Sequence, residues 1–105
     1  MAFKIIWSAF AETQLDEIYQ YYKDEASETI AKKLLQEIIQ APNRLINNPH
    51  IGQEELLLKN REIQYRYLIY KNYKIIYAID DKNSLLKIAD VFDSRQNPTK
   101  LKRVK

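Results

Sequence analysis

The 105-residue chain contains no cysteine, one glycine, one histidine and three prolines. Each shortage excludes a class of chemistry. Without cysteine there are no disulfides, thiolate metal sites or cysteine nucleophiles, which is compatible with a reducing compartment. One glycine rules out a glycine-rich phosphate loop, whose backbone must approach the ligand at several points. The single histidine, His50, lies in a proline-marked loop with no GxSxG-like nucleophile context, so a Ser–His–Asp triad has no support. A metal site would have to be built on carboxylates, and Asp80–Asp81 and Glu54–Glu55 read as solvated loop charges without ligand spacing. No metal and no cofactor are expected. No apolar run approaches the roughly 20 residues that cross a bilayer. The opening MAFKIIWSAFAE is interrupted by Glu12 and has no clear cleavage site. The reading is a cytoplasmic protein with no membrane contact.

What is present is ordinary globular material, 46% hydrophobic and 30% charged. It suits one domain over residues 1–105, with a basic tail from about residue 96. The charge is unevenly placed. Residues 1–58 carry five Lys/Arg against nine Asp/Glu, a net of −4, and residues 59–105 carry twelve against five, a net of +7. A basic second half attracts nucleic acid or an acidic protein segment.

The local patterns give an α+β order. FKIIW (3–7) is short and β-prone. Ser8 is placed to cap a following helix, with Glu12 near its positive end. Phe10, Leu15, Ile18, Tyr19 and Tyr22 fall near one helical face. Ser27 is the next cap, followed by a second stripe of Ile30, Leu34, Leu35, Ile38 and Ile39. Pro42 kinks or ends that helix, and Leu45 and Ile46 suggest that it resumes to about Asn47. The two short-linked helices should form an antiparallel hairpin. NNPHIGQ is the clearest loop, and its lone glycine is expected to supply a backbone angle other residues resist. From there to about Asn60 a short helix or strand is expected.

From Glu62 the period is two. Three strands joined by KN and DDKN turns, the last being SLLKIADVF, form an antiparallel meander. The expected faces are Ile63, Tyr65, Tyr67, Ile69, Tyr73, Ile75, Tyr77 and Ile79 under the helices, with Arg66 and Lys74 on an open, positive face. A plainer reading has these two cations guarding sheet edges against aggregation. The tail SRQNPTKLKRVK lacks apolar periodicity and should be mobile until a partner orders it. Lysine, arginine and tyrosine suit phosphate chemistry or phosphate binding. Most of the eight tyrosines are also accounted for as core and hairpin pairs.

Three segments in this order resemble the RelE/ParE family of toxins from type II bacterial toxin–antitoxin (plasmid stabilisation) systems. NPHIG resembles the family's P..G loop, R...YKNYKIIYAID its central hairpin, and ADVFDSRQNP the end of its last strand. The resemblance spans nearly the whole chain. It implies a strand, a two-helix hairpin packed on one sheet face, and a three-stranded meander. It also implies a toxin that arrests growth unless a cognate antitoxin binds it, with operator DNA contacted only through the antitoxin. RelE-like members cleave mRNA in the ribosome; ParE-like members block DNA gyrase and are not enzymes. Lys74 stands where the family commonly has arginine, Arg66 matches the basic position one strand earlier, and Arg95 matches the arginine after the last strand. These three form the expected functional face, with Lys100, Lys102 and Arg103 as tail contacts. Past Arg95 there is no tyrosine or histidine, and the lysine-rich strand typical of RelE is missing. A cleavage step then lacks an obvious acid or base. That favours the ParE-like branch, with the ribosome-dependent nuclease as the alternative and a non-toxic binding relative as the third reading.

Overall fold

A computed structural model gives the architecture and describes residues 2–54 and 63–95. In chain order it has β1 (Lys4–Trp7), α1 (Ala9–Glu25), α2 (Glu28–Gln40), 3-10 turns at Ala41–Leu45 and Pro49–Ile51, β2 (Gln53–Glu54), β3 (Tyr65–Tyr70), β4 (Tyr73–Asp80) and β5 (Leu85–Asp93). The class is α+β, as the patterning indicates. The sheet is wider than the meander alone, with order β1-β5-β4-β3-β2. β1 lies parallel to β5, and every other pairing is antiparallel. No helix among the described residues is long and apolar enough to cross a membrane.

Both serine caps form. Ser8 Oγ accepts from the Ala11 N–H at 3.0 Å, and Ser27 Oγ from the Ile30 N–H at 3.2 Å. Ser8 also reaches back to the sheet. Its hydroxyl donates to the Ala89 carbonyl at 3.3 Å, and its N–H to the Ile88 carbonyl at 2.9 Å. Ala89 is the extra residue where β5 shifts register against β4, between Ile76↔Asp90 and Tyr77↔Ile88. One residue therefore ends β1, starts α1 and holds the bulge. Ser8→Ala should lower stability by about 1–2 kcal/mol, the upper part of the range for a lost cap, measured by urea unfolding.

The helices differ from their sequence reading in phase and length. α1 continues through Lys23–Glu25. It turns Ala11, Leu15, Ile18 and Tyr22 to the core and leaves Phe10 exposed. α2 buries Ala31, Leu34 and Ile38, while Ile30 and Ile39 are exposed. Pro42 ends α2 without a resumed α-helix; the chain tightens into the 3-10 turn, and Leu45 plugs the core there. Ile38, Leu45, Ile75, Leu86 and Ile88 are fully buried between hairpin and sheet, each worth about 1.5–3 kcal/mol by transfer.

The main correction concerns β3. The Lys71–Asn72 turn pairs Tyr70 with Tyr73, Leu68 with Ile75 and Arg66 with Tyr77. Directly opposed residues share a face, so Arg66, Leu68 and Tyr70 lie on the helix side. Tyr65, Tyr67 and Ile69 lie on the other, with Ala78, Ile76 and Lys74. That second face is not an open basic surface. Tyr65, Ile76, Ala78 and Phe92 form a second buried cluster there, with Asp90 fully buried opposite Ile76. Neither Arg66 nor Lys74 guards an edge, since β3 and β4 are both interior strands. Of the stretch expected to hold an extra helix or strand, Gln53–Glu54 is a strand and residues 55–60 lie outside the described residues. The basic tail from 96 also lies outside them.

Candidate functional site

Arg66, Lys74 and Arg95 do not form one face; they occupy three places. Arg66 reaches under the 49–52 turn. Its guanidinium donates to the Gly52 carbonyl at 2.8 Å and to the His50 carbonyl at 3.4 Å. Beside it on the same face, the Tyr77 hydroxyl donates to the Pro49 carbonyl at 2.8 Å and accepts from the Gly52 N–H at 3.1 Å. Burial pushes the Tyr77 phenol above its ordinary value. NPHIG is thus stapled to the sheet by one tyrosine and one arginine. Gly52 itself has an ordinary extended backbone, φ −69° and ψ 158°. The glycine is needed for close approach, not for an unusual angle: a Cβ there would stand 2.1 Å from the Tyr77 hydroxyl.

Lys74 sits on the opposite sheet face, its ammonium 4.1 Å from the centre of the Tyr67 ring. A cation over a π face is held electrostatically. Tyr67 in turn donates to Gln53 Oε1 at 2.8 Å.

Arg95 follows β5 and is clamped by Asp93. Its Nη2 lies 2.6 Å and its Nε 3.2 Å from Oδ2, while Nε and the backbone N–H reach Oδ1 at 3.0 and 2.9 Å. The Arg95 side-chain hydrogen bonds hold the Asp93 carboxyl far below the usual carboxylate range, helped by the Arg95 N–H and by nearby Asn72. Asn72 Nδ2 is buried beside this pair yet, among the described residues, has no partner of good hydrogen-bond geometry. A depressed carboxyl contributes stability above its unfolded pKa and loses it as pH falls through the folded one. Asp93→Asn should therefore flatten the stability–pH curve below the ordinary aspartate value of 3.8. Urea unfolding from about pH 6 down to about pH 2 covers the onset of that loss and checks it; an unchanged acid slope refutes the clamp.

Around this clamp the structure opens. A cleft of about 360 Å³ lies between α1 and the end of the sheet, lined among others by Glu17, Tyr21, Tyr22, Tyr73, Asp93 and Arg95. A neighbouring cleft of about 350 Å³ runs between α2 and the β3–β4 turn, with Ile30, Lys33, Glu37 and Lys71 on its walls. Tyr22 and Tyr73 line both, and the Tyr73 hydroxyl donates to that of Tyr22 at 3.3 Å. They form a ridge dividing one groove. Tyr21 stands edge-on to Tyr22 at 5.1 Å and is 60% exposed. Lys71 pairs with Glu37 at 3.2 Å. The Glu37 carboxyl is lowered by Tyr70 first and Lys71 second.

Burial first, and then the Tyr22 bond, push the Tyr73 phenol well above its ordinary value of 10. A phenol held there keeps its proton at neutral pH and is a poor general base. Arg95 is already matched by a carboxylate, and Arg66 is spent on main-chain carbonyls. Aromatic walls with charges of both signs on the rim suit a protein segment. Helical and strand spacing place Tyr22 and Tyr73 in the core, and nothing in the patterning singles out Tyr21 or Asp93. The available signal is Asp93-x-Arg95 directly after an apolar strand, a spacing that lets a carboxylate reach back to an arginine. Lys100, Lys102 and Arg103 lie outside the described residues.

A family model described as the ParE toxin of the type II toxin–antitoxin system parDE matches residues 5–98. Among solved structures, the chain is similar to one from the chromosomal ParDE toxin–antitoxin system of P. aeruginosa. The TM-score is 0.71 and the identity 17%, covering 88% of this chain and 96% of that one. It is also similar to one from the toxin–antitoxin complex RelBE2 of Mycobacterium tuberculosis, with a TM-score of 0.64 and 17% identity over 89% of this chain and 99% of that one. Curated proteins give no match in sequence.

Proposed function

Because the chain belongs to the ParE toxin family of type II toxin–antitoxin systems, we propose that it arrests growth by binding DNA gyrase in the cytoplasm, and that a cognate antitoxin silences it by filling the Tyr22–Tyr73 groove. Operator DNA is then met only through the antitoxin. One observation carries the choice of binding over cleavage: among the described residues, Arg95 and Arg66, two of the cations strand cleavage would recruit, are already engaged. Arg95 is clamped by Asp93 and Arg66 holds the 49–52 turn. Cleavage of RNA at an internal phosphate needs a base for the attacking hydroxyl and an available cation for the developing charge.

The groove supports an antitoxin in a second way. Its lining carries charges of both signs, Glu17, Arg95, Lys33, Glu37 and Lys71, beside the tyrosine walls. An amphipathic segment that folds on binding meets apolar wall and charged rim together.

Two assays on the antitoxin-free chain decide the target. Loss of gyrase supercoiling activity with intact mRNA in a cell-free translation reaction is the expected result. Ribosome-dependent cuts within codons would overturn it and make the chain a RelE-like nuclease. No growth arrest on expressing the folded chain alone would mark it as a non-toxic relative.

A further inference from the structure

We propose that β1 pairs edge to edge with β1 of a second copy of this chain, about a twofold axis at Ile6, so that the two sheets join into one. The inference is independent of the gyrase and antitoxin readings, since it concerns the chain alone.

The backbone sets the register. β1 is an end of the sheet. The Lys4 N–H donates to the Ser84 carbonyl and the Ser8 N–H to the Ile88 carbonyl, each at 2.9 Å, so the even-numbered residues turn their backbone groups to β5. The direction alternates along a strand, and Ile5 and Trp7 turn theirs outward. Among the described residues neither N–H finds a backbone acceptor. This outward window is closed at both ends. The Phe3 N–H is held by the Ile46 carbonyl at 2.9 Å, and beyond Ser8 the chain enters α1 at Ala9. Nothing inside the window blunts it: KIIW has no proline, and its one charge is at its first residue. An unguarded edge is a template for another strand.

In an antiparallel pair, residues with outward backbone groups exchange both hydrogen bonds with each other. A twofold centred on Ile5 needs the Phe3 N–H, which is engaged. One centred on Trp7 sets Ile5 against Ala9, which is helical. One centred on Ile6 joins Ile5 of each copy to Trp7 of the other, uses every open group and displaces none.

The side chains agree with that register. Ile5 and Trp7 lie on the helix side, packed against the main core cluster. Each seam pair therefore sets a β-branched residue against an aromatic ring, a favourable cross-strand combination. Ile6 lies on the second face, 40% exposed, and meets its own symmetry mate there. Lys4 falls opposite Ser8, so no like charges face each other across the seam. Lys87 stands one strand in, beside Ile6, and is paired with its own Asp80 at 3.4 Å. The Lys87 residues of the two copies are three strand spacings apart, roughly 14 Å, beyond a Debye length of about 8 Å. The helices leave room as well. α1 packs over β5, which puts the two α1 helices about as far apart, wider than the roughly 8–10 Å of packed helices. A seam of four residues a side is small beside the roughly 20–30 of a stable interface. The pairing is therefore weak, and it shields an aggregation-prone edge as concentration rises.

Trp7 is the sole tryptophan and lies in the seam, so the purified chain reports the pairing by itself. Raising its concentration from about 1 μM to about 1 mM should shift Trp7 emission to shorter wavelength and double the sedimenting mass. Exchange of the Ile5 and Trp7 amides should slow by at least about tenfold, the effect of one added hydrogen bond. The Ile6 and Ser8 amides should be protected throughout. A chain that stays monomeric with fast Ile5 and Trp7 amides overturns the proposal. Ile6→Lys sets like charges across the axis at a surface position, and the folded variant should stay monomeric. Ile6→Glu should weaken the dimer less, because Lys87 lies beside it. An equal mixture of the two variants should associate again. An undiminished dimer in Ile6→Lys, or a mixture no more associated than its components, places the contact elsewhere and overturns the axis at Ile6.

Discussion

Gly52→Ala is expected to destabilise the fold by about 3 kcal/mol, combining an overpacked site with displaced hydrogen bonds. That is a drop of roughly 10–15 °C in melting temperature for a domain of this size. The added methyl would stand 2.1 Å from the Tyr77 hydroxyl and 2.8 Å from two of its ring carbons. Tyr77 has nowhere to retreat, because it is fully buried in the main core cluster. Either the ring shifts off the Pro49 carbonyl and the Gly52 N–H, or the 49–52 turn lifts from the sheet and takes the Arg66 contacts with it. Tyr77→Phe alone should cost about 1–2 kcal/mol by leaving that N–H and that carbonyl unsatisfied. The double variant should then cost less than the sum, since the atom in closest conflict is gone. A coupling of about 1 kcal/mol or more is expected for residues in direct contact. Strict additivity in urea unfolding would show that the turn does not rest on this hydroxyl. The same staple bears on Arg66. If it holds the turn, Arg66→Ala lowers stability along with any activity, and loss of toxicity in that variant is not evidence for phosphate contact unless the melting temperature is unchanged.

Much of this is legible in the chain. Ser8 and Ser27 announce both helix starts, Pro42 the end of α2, and the change to period two the meander. Two features escape it for different reasons. Alternation alone misassigns the face of β3, because YRYLIY is apolar at both parities and fits either side. Turn geometry decides it. A two-residue turn at Lys71–Asn72 pairs Tyr70 with Tyr73, and register then carries Arg66 to the side of Tyr77. With Tyr73, Ile75 and Tyr77 under the helices, the turn length already requires Leu68 and Arg66 there. The role of Gly52 is not legible at all. A glycine in a loop suggests a left-handed angle, and only the long-range position of Tyr77, 25 residues away in sequence, reveals a contact instead. The groove is hidden for a related reason. Tyrosines at helical and strand spacing read as core, and Tyr22 and Tyr73 are core on one edge and wall on the other.

Tyr21→Ala separates the two jobs of this surface. Tyr21 is 60% exposed, and its ring contact is the edge of Tyr22. Truncating it should change stability by no more than about 0.5 kcal/mol, as for surface positions generally. If the groove receives the antitoxin, Tyr21 is an aromatic anchor at its mouth, and such residues carry about 2 kcal/mol or more of a binding energy. Antitoxin affinity should fall by about 30-fold or more. The arrest of growth should persist if the proposed gyrase contact uses another surface of the chain. In cells the variant should therefore be more harmful than the parent at equal antitoxin supply. Calorimetric titration on the folded variant gives the first number and growth on co-expression the second. Unchanged affinity would remove the antitoxin from the groove. Weakened arrest with intact affinity would reassign the groove to the target, and Arg95 and Asp93, which stand on its opposite wall, would be the next pair to exchange.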